Sequence, residues 1–230
     1  MLIAPGVHQF NASFVNVFVV ETPDGLLLVD AGQPGDTDKL LQQMRAAGLD
    51  PARIRLIFLT HGDTDHIGGA ARFQALSGAQ VLAHPTDVAY VEGRDYRRPA
   101  ASGLGLLLRP LFAVLSRTLM RVKPVKVDRQ VKEGDTVADG WRVIHLPGHT
   151  AGQVGLYHPT QRIALVGDAL NHRRDLGAPP PIFTPDMPAA YASIRKLAGM
   201  DINVLGMGHG DAVTQNAAEQ LRALAATLPA

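Results

Sequence analysis

The stretch THGDTDHIGG, Thr60 to Gly69, follows the apolar run Ile54 to Leu59 and sets His61, Asp63, Asp65 and His66 within six residues. Imidazole and carboxylate are the side chains that hold divalent cations, so four of them in one loop point to a metal centre. His61 and Asp63 are two positions apart and project to the same side of an extended segment. Asp65 and His66 are adjacent and diverge, unless a helix begins there and turns the chain. Gly68 and Gly69 allow such a turn, with the helix packed close beneath the loop. One loop of this design can serve two neighbouring ions.

Three further residues share this setting. His149 lies in LPGHTAG after an expected strand Trp141 to Leu146. Asp168 lies in LVGDAL after an expected strand Arg162 to Val166, and His209 lies in GMGHGD after an expected strand Asn203 to Leu205. Each is a His or Asp at the C-terminal end of an apolar strand, beside glycine. Loops at that end are where open α/β folds hold their ligands. Asp30 ends another apolar strand, Leu26 to Val29, in the sequence VDAG.

Around these loops the pattern alternates between strands and helices. Val15 to Val20 and Leu26 to Val29 read as strands about the turn Thr22-Pro23-Asp24-Gly25. Asp36 is placed to cap a helix with Leu40, Leu41, Met44 and Ala47 on one face, stopped at Gly48. A helix from Ala70 to Leu76 ends at Gly78, and strands follow at Gln80 to Ala83 and Gln153 to Tyr157. Helices near Pro188 to Ala198 and from Gln215 to Thr227 complete the pattern. No repeat or linker divides it, so the expectation is one α/β domain over 1–230 with mixed sheets.

Composition narrows the function classes. The net charge of +1 gives no bulk ground for binding nucleic acid or an anionic membrane. The chain has no cysteine, which removes disulfides, thiolate ligands and a cysteine nucleophile together. The opening MLIAPGVHQFNASF lacks the basic and apolar segments of a secretion signal, so a cytoplasmic location is expected. The most apolar stretch, Leu104 to Leu115, is interrupted by Arg109 and Pro110 and is too short to span a bilayer.

The set THGDTDH, PGHT, GD and GHG, in this order and after VDAG, resembles the metallo-β-lactamase superfamily over nearly the whole chain. The resemblance implies a four-layer αββα sandwich, two mixed β-sheets flanked by helices, with the site at one edge. It implies two divalent metal ions. His61, Asp63 and His149 would hold the first, Asp65, His66 and His209 the second, and Asp168 would bridge them. Asp30 matches an acid of that family that orients ligands without binding metal. The activity implied is that of a hydrolase, in which a metal-bridging hydroxide attacks an electrophilic carbonyl or phosphoryl centre, with Asp65 or Asp168 passing a proton.

Asp63 departs from the family's usual His-x-His-x-Asp-His. Two divalent cations bring about +4 charges, and Asp63, Asp65, Asp168 and a bridging hydroxide bring about −4. The centre is therefore closer to neutral than the usual one, and its bound water less acidified. A carboxylate in place of an imidazole also favours harder metals, so Mn and Fe stand beside Zn. A near-neutral centre suits a carbonyl ester, lactone or thioester better than a phosphodiester. A true β-lactamase of the cysteine-ligand branch is excluded by composition. The other classes to weigh are a phosphodiesterase of the same fold, an iron-dependent redox enzyme (a sulfur dioxygenase or an oxygen-reducing di-iron protein), and a binding module with a vestigial site. The complete ligand set speaks against the last.

Beyond the ligands, His172 follows Asp168 by four positions and is a candidate substrate-facing residue at the pocket rim, with Asn171 and Arg173 beside it. Lactonases of the superfamily often carry tyrosine where this chain has Asn171. Arg173 and Arg174 either meet an anionic substrate group or form a solvated pair. His84, His145 and His158 read as hydrogen-bonded structural histidines, and His8 as a surface residue. A partly helical insert is expected at about 87–122. Its leucines recur at near-helical spacing from Leu106 to Leu119, with a break at Pro110. Four roles fit it: a helix packed on the body, a lid, an apolar substrate channel, or a homodimer surface.

Overall fold

The computed structural model describes residues 1–96, 103–115, 118 and 122–229. Its strands are β1 (Leu2–Ala4), β2 (Val7–Ala12), β3 (Val15–Thr22), β4 (Gly25–Val29), β5 (Ile54–Phe58), β6 (Gln80–Ala83), β7 (Arg129–Gln130), β8 (Arg142–His145), β9 (Val154–His158), β10 (Ile163–Leu165) and β11 (Val204–Gly206). The α-helices are α1 (Thr37–Ala46), α2 (Thr64–Ile67), α3 (Ala70–Ser77), α4 (Val88–Val91), α5 (Gly103–Leu115), α6 (Met187–Ala198) and α7 (Ala217–Thr227).

Two mixed sheets result. The larger runs β1-β2-β3-β4-β5-β6-β7, antiparallel from β1 to β4 and parallel from β4 to β7. The smaller runs β11-β10-β9-β8, with β10 parallel to β11 and antiparallel to β9. Side-chain alternation along β3 explains the layering. Val17 and Val19 face one apolar cluster with Leu40, Met44 and Phe73 of α1 and α3. Phe18 and Val20 face another, where Phe58 and Leu82 of the larger sheet meet Val143, Leu156 and Leu165 of the smaller one around Trp141. The far side of the smaller sheet packs Ile144, Ala164 and Leu205 against Ile194, Leu197 and Leu221 of α6 and α7. Helix, sheet, sheet, helix is thus the order of layers. Burial of a large apolar side chain such as Phe58 is worth about 1.5–3 kcal/mol, which makes the contact between the sheets the platform for the loops at their edge.

Several expectations need correction. β1 and β2 lie where the sequence shows no clean alternation, because β2 is covered on both sides over part of its length. Helix α1 ends before Ala47, which is exposed, and Leu49 fills the buried position instead. Asp36 precedes α1 but does not cap it through its side chain. Its carboxylate instead accepts from Ser13 Oγ at 2.7 Å and Gln33 N at 3.2 Å. Pro110 does not break α5, which runs through it. Proline removes only the hydrogen bond to the carbonyl four residues earlier, and that residue, Leu106, lies on the solvent side of the helix, where water can satisfy it. His8 is half-buried, and its ring pairs with the exposed Glu21 at 2.9 Å. Leu119 lies outside the described residues.

Candidate metal centre

The loops leaving β4, β5, β8, β10 and β11 meet at one edge of the sandwich. Short helix α2 begins directly after Asp63, whose carbonyl accepts from His66 N at 2.9 Å and Ile67 N at 3.0 Å. That turn lets adjacent Asp65 and His66 face the same centre. It sits tightly on the neighbouring loop: a Cβ on Gly68 would lie 2.4 Å from Pro34 N, and one on Gly69 2.3 Å from Ala31 O. Neither position has room for any side chain.

All seven expected ligands come together. His61, Asp63 and His149 each bring one ligand atom within 4.8 Å of the others, and so do Asp65, His66 and His209. The group His61, His66 and Asp168 meets the same test and joins the two. Asp168 Oδ1 lies 3.3 Å from His66 Nε2, and its Oδ2 lies 3.2 Å from His209 Nε2 and 3.8 Å from His149 Nε2. Its carboxylate therefore faces both triads. On the first triad Asp63 Oδ2 is 3.0 Å from His149 Nε2 and 3.7 Å from His61 Nε2. On the second, Asp65 Oδ2 is 3.6 Å from His209 Nε2 and 3.9 Å from His66 Nε2.

The nitrogens facing the centre are fixed by what the opposite nitrogens do. His66 Nδ1 donates to Asp30 Oδ2 at 2.8 Å. His209 Nδ1 donates to the Phe14 carbonyl at 2.8 Å. Thr60 Oγ1 donates its one hydrogen to Asp30, at 2.8 Å from Oδ2, so it must accept from His61 Nδ1 at 2.9 Å. Asp30 thus sets the tautomer of one histidine in each triad, His66 directly and His61 through Thr60. It also accepts from Thr60 N at 2.8 Å. Its backbone adopts a left-handed φ of 61°, strain that a rigid site can sustain.

Burial and mutual charge set the protonation of this cluster. Burial pushes His61 well below the usual histidine range, and the nearby His66 adds to that. Burial works against a charge on His66 too, but the Asp168 and Asp30 carboxylates more than offset it and hold His66 well above its ordinary value. His209 is raised in the same way, with Asp168 outweighing burial. Burial opposes ionisation of Asp168, yet His66 and His209 hold its carboxyl well below the usual carboxylate range. Asp65 is raised, chiefly by burial.

These residues fit metal ions. Buried His61 Nε2, His66 Nε2 and Asp168 Oδ1 make no hydrogen bond. An unsatisfied buried polar atom costs about 1–3 kcal/mol, and three of them crowd one point. Oxygen and imidazole donors with preset tautomers are what a divalent cation requires.

Of the other sequence candidates, His172 runs beside the loop of His209, its backbone N–H donating to the His209 carbonyl at 3.0 Å. Asn171 donates to the Ala178 carbonyl at 2.6 Å, within its own loop. His172 Nδ1 bonds the Asp211 carbonyl at 2.8 Å, and Arg173 is exposed. His84 and His145 stack on each other at 4.7 Å, and His158 bonds the Asp139 carbonyl at 2.9 Å. One structural residue carried no sequence signal. Buried Asp87 accepts from Gly62 N at 2.9 Å and Thr150 Oγ1 at 3.0 Å, pinning the two loops that supply the first triad. It contributes to a cavity of about 250 Å³ lined also by Tyr90, Pro147, Gly148, Thr150, Ala151 and Pro185. Asp87 and Thr150 are 63 residues apart in sequence, and no local spacing reveals such a pairing.

A family model described as the metallo-beta-lactamase superfamily matches residues 11–209. The chain belongs to that superfamily. Its relatives include the probable metallo-hydrolase YflN of Bacillus subtilis, 31% identical over 92% of this chain and 86% of that protein. The acyl-coenzyme A thioesterase MBLAC2 of Gallus gallus is 30% identical over 67% of this chain and 57% of that protein. Among solved structures, TTHA1623 in a di-iron-bound form is 28% identical, with a TM-score of 0.64 over 90% of this chain and 92% of that one. The chain is a metallo-hydrolase by family, and its αββα architecture is the one the resemblance implied.

Proposed function

We propose that this superfamily member is a dinuclear hydrolase of carbonyl esters, with thioesters as its leading substrate class. The observation that carries the reading is the convergence of two ligand triads on the shared carboxylate of Asp168. His61, Asp63 and His149 would hold one ion and Asp65, His66 and His209 the other. Zn is the first candidate, with Mn and Fe favoured by the hard Asp63 oxygen. The di-iron form of TTHA1623 supports two ions on such a frame. When bound, the ions supply an activated water and polarise the substrate oxygen.

The chain's own residues divide the remaining work. Asp30 and Thr60 hold the imidazoles in register. Asp168, kept ionised by His66 and His209, holds the two triads together. Asp65 has a raised carboxyl and a side chain 22% exposed, so it is the group placed to carry a proton toward a leaving group. A thioester is favoured on two grounds. One is the thioesterase relative. The other is the cavity lined by Gly148 and Thr150, the sequence neighbours of His149, whose Pro147, Ala151 and Pro185 suit an apolar acyl portion.

The test is turnover of a panel of thioesters, esters, lactones and phosphodiesters by metal-loaded protein. Thioester or ester cleavage that disappears in Asp168→Ala supports the proposal. Oxygen uptake with a single iron, or phosphodiester cleavage alone, overturns it.

A further inference from the structure

Helix α5 leaves an apolar face uncovered. Its solvent side carries Leu104, Leu106, Leu107, Leu111 and Val114, each more than half exposed, with Leu107 reaching 76%. Gly105 is buried, and Arg109 is partly covered. Leu108, Ala113 and Leu115 are partly covered as well, so the helix is apolar nearly all round, whereas a helix on a globular body normally turns a polar face outward. Phe183, in the 181–183 turn against which α5 packs, is also exposed and extends the apolar surface. A continuous greasy face of this kind marks an interaction surface.

Charge identifies the occupant. The 35 residues from Glu92 to Lys126 contain eight Lys and Arg against two acids, a net +6. With +1 for the whole chain, the remainder carries −5. The near-neutral total conceals a cationic, leucine-rich segment on an anionic body. Two copies meeting face to face through α5 would bring two such cationic segments together, which opposes a symmetric dimer. An anionic bilayer meets both demands, since leucines enter the headgroup boundary while Lys and Arg meet lipid phosphates. Thirteen residues of helix, at 1.5 Å each, give about 20 Å. That length suits a helix lying in the interface and falls short of the roughly 30 Å hydrocarbon core. No described helix is long and apolar enough to cross a membrane.

We infer that the α5 face docks this protein on an anionic lipid surface, as a peripheral contact made by the exposed leucines, with the cationic sequence of 92–126 favouring anionic lipid. The inference stands independently of the reaction catalysed. The experiment is flotation of the full chain with vesicles of phosphatidylcholine alone and of phosphatidylcholine mixed with phosphatidylglycerol. Binding to the mixed vesicles is expected, weakened by added salt. The double variant Leu107→Glu/Leu111→Glu should lose about tenfold or more of that binding, with far-UV circular dichroism and thermal midpoint unchanged. Vesicle binding by this variant equal to the parent's overturns the inference. So does failure of the parent to bind mixed vesicles at low salt, including the case where sedimentation shows a dimer that the variant abolishes.

Discussion

Replacing Asp30 by Asn tests how one carboxylate governs both triads. Asp30 accepts three hydrogen bonds, from Thr60 N, Thr60 Oγ1 and His66 Nδ1, each at 2.8 Å. Asparagine keeps the volume but presents an amide N–H where an acceptor stood. If that N–H faces His66 Nδ1, the imidazole must carry its proton on Nε2, the nitrogen that faces the centre. His66 then has no lone pair for an ion. Loss of such an orienting carboxylate lowers metal affinity about 10–100-fold, or about 1.4–2.7 kcal/mol. The buried charge-assisted bonds add a folding cost of about 1–3 kcal/mol. Calorimetric metal titration of the stripped protein reads the first quantity, and thermal unfolding reads the second. The ion held by Asp65, His66 and His209 should weaken more than the other, because His61 is reached only through Thr60. An Asp30→Asn protein that binds both ions with parental affinity refutes the tautomer account.

Four other outcomes are expected. Gly208→Ala should abolish metal binding while the protein still folds, because its Cβ would lie 2.1 Å from Asp168 Oδ1 and 2.6 Å from His66 Cε1. Metal content after purification reads this directly. Asp63→His removes one negative charge from the centre and should move the acidic limb of the pH–rate profile lower and shift preference toward Zn. Metal binding should release protons at neutral pH, since His66 and His209 are raised and hold protons that an ion must displace. Affinity then rises as pH rises through those raised values, and equal binding heats in buffers of different ionisation enthalpy would contradict it. Asp87→Ala should weaken the ion held by His61, Asp63 and His149 first, as it frees Gly62 N and Thr150 Oγ1, with binding enthalpy resolved site by site as the check.

The site was far more legible than its supports. His61, Asp63, Asp65 and His66 share one loop, and the other three candidates stand beside glycine at strand ends, so local pattern marked all seven as ligand-type residues, and the family resemblance sorted them into two triads. Thr60 sits inside the same ten residues, but its role as a hydrogen-bond link between His61 and Asp30 needs a contact 30 residues away. Asp87 was invisible for the same reason. In the fold, the central strands were evident because β3 to β6 are mostly apolar and largely buried, with few polar interruptions such as Asn16 and Arg55. β1 and β2 were not, since an edge pair with a mixed pattern lacks that signature. The Pro110 reading failed because a proline at a solvent-facing helix position loses a hydrogen bond that water replaces. The charge asymmetry around α5 was present in the sequence, but it cancels in the total, and only the exposed leucines give it a meaning.

Metal content most directly tests the central claim that seven side chains form one two-ion centre. The protein is purified without added metal, and its ions are counted by elemental analysis beside Asp168→Ala. The account predicts about two ions per chain in the parent, and loss of at least one on removal of the shared carboxylate. A parent that holds a single ion, or an Asp168→Ala protein that keeps both, would contradict it.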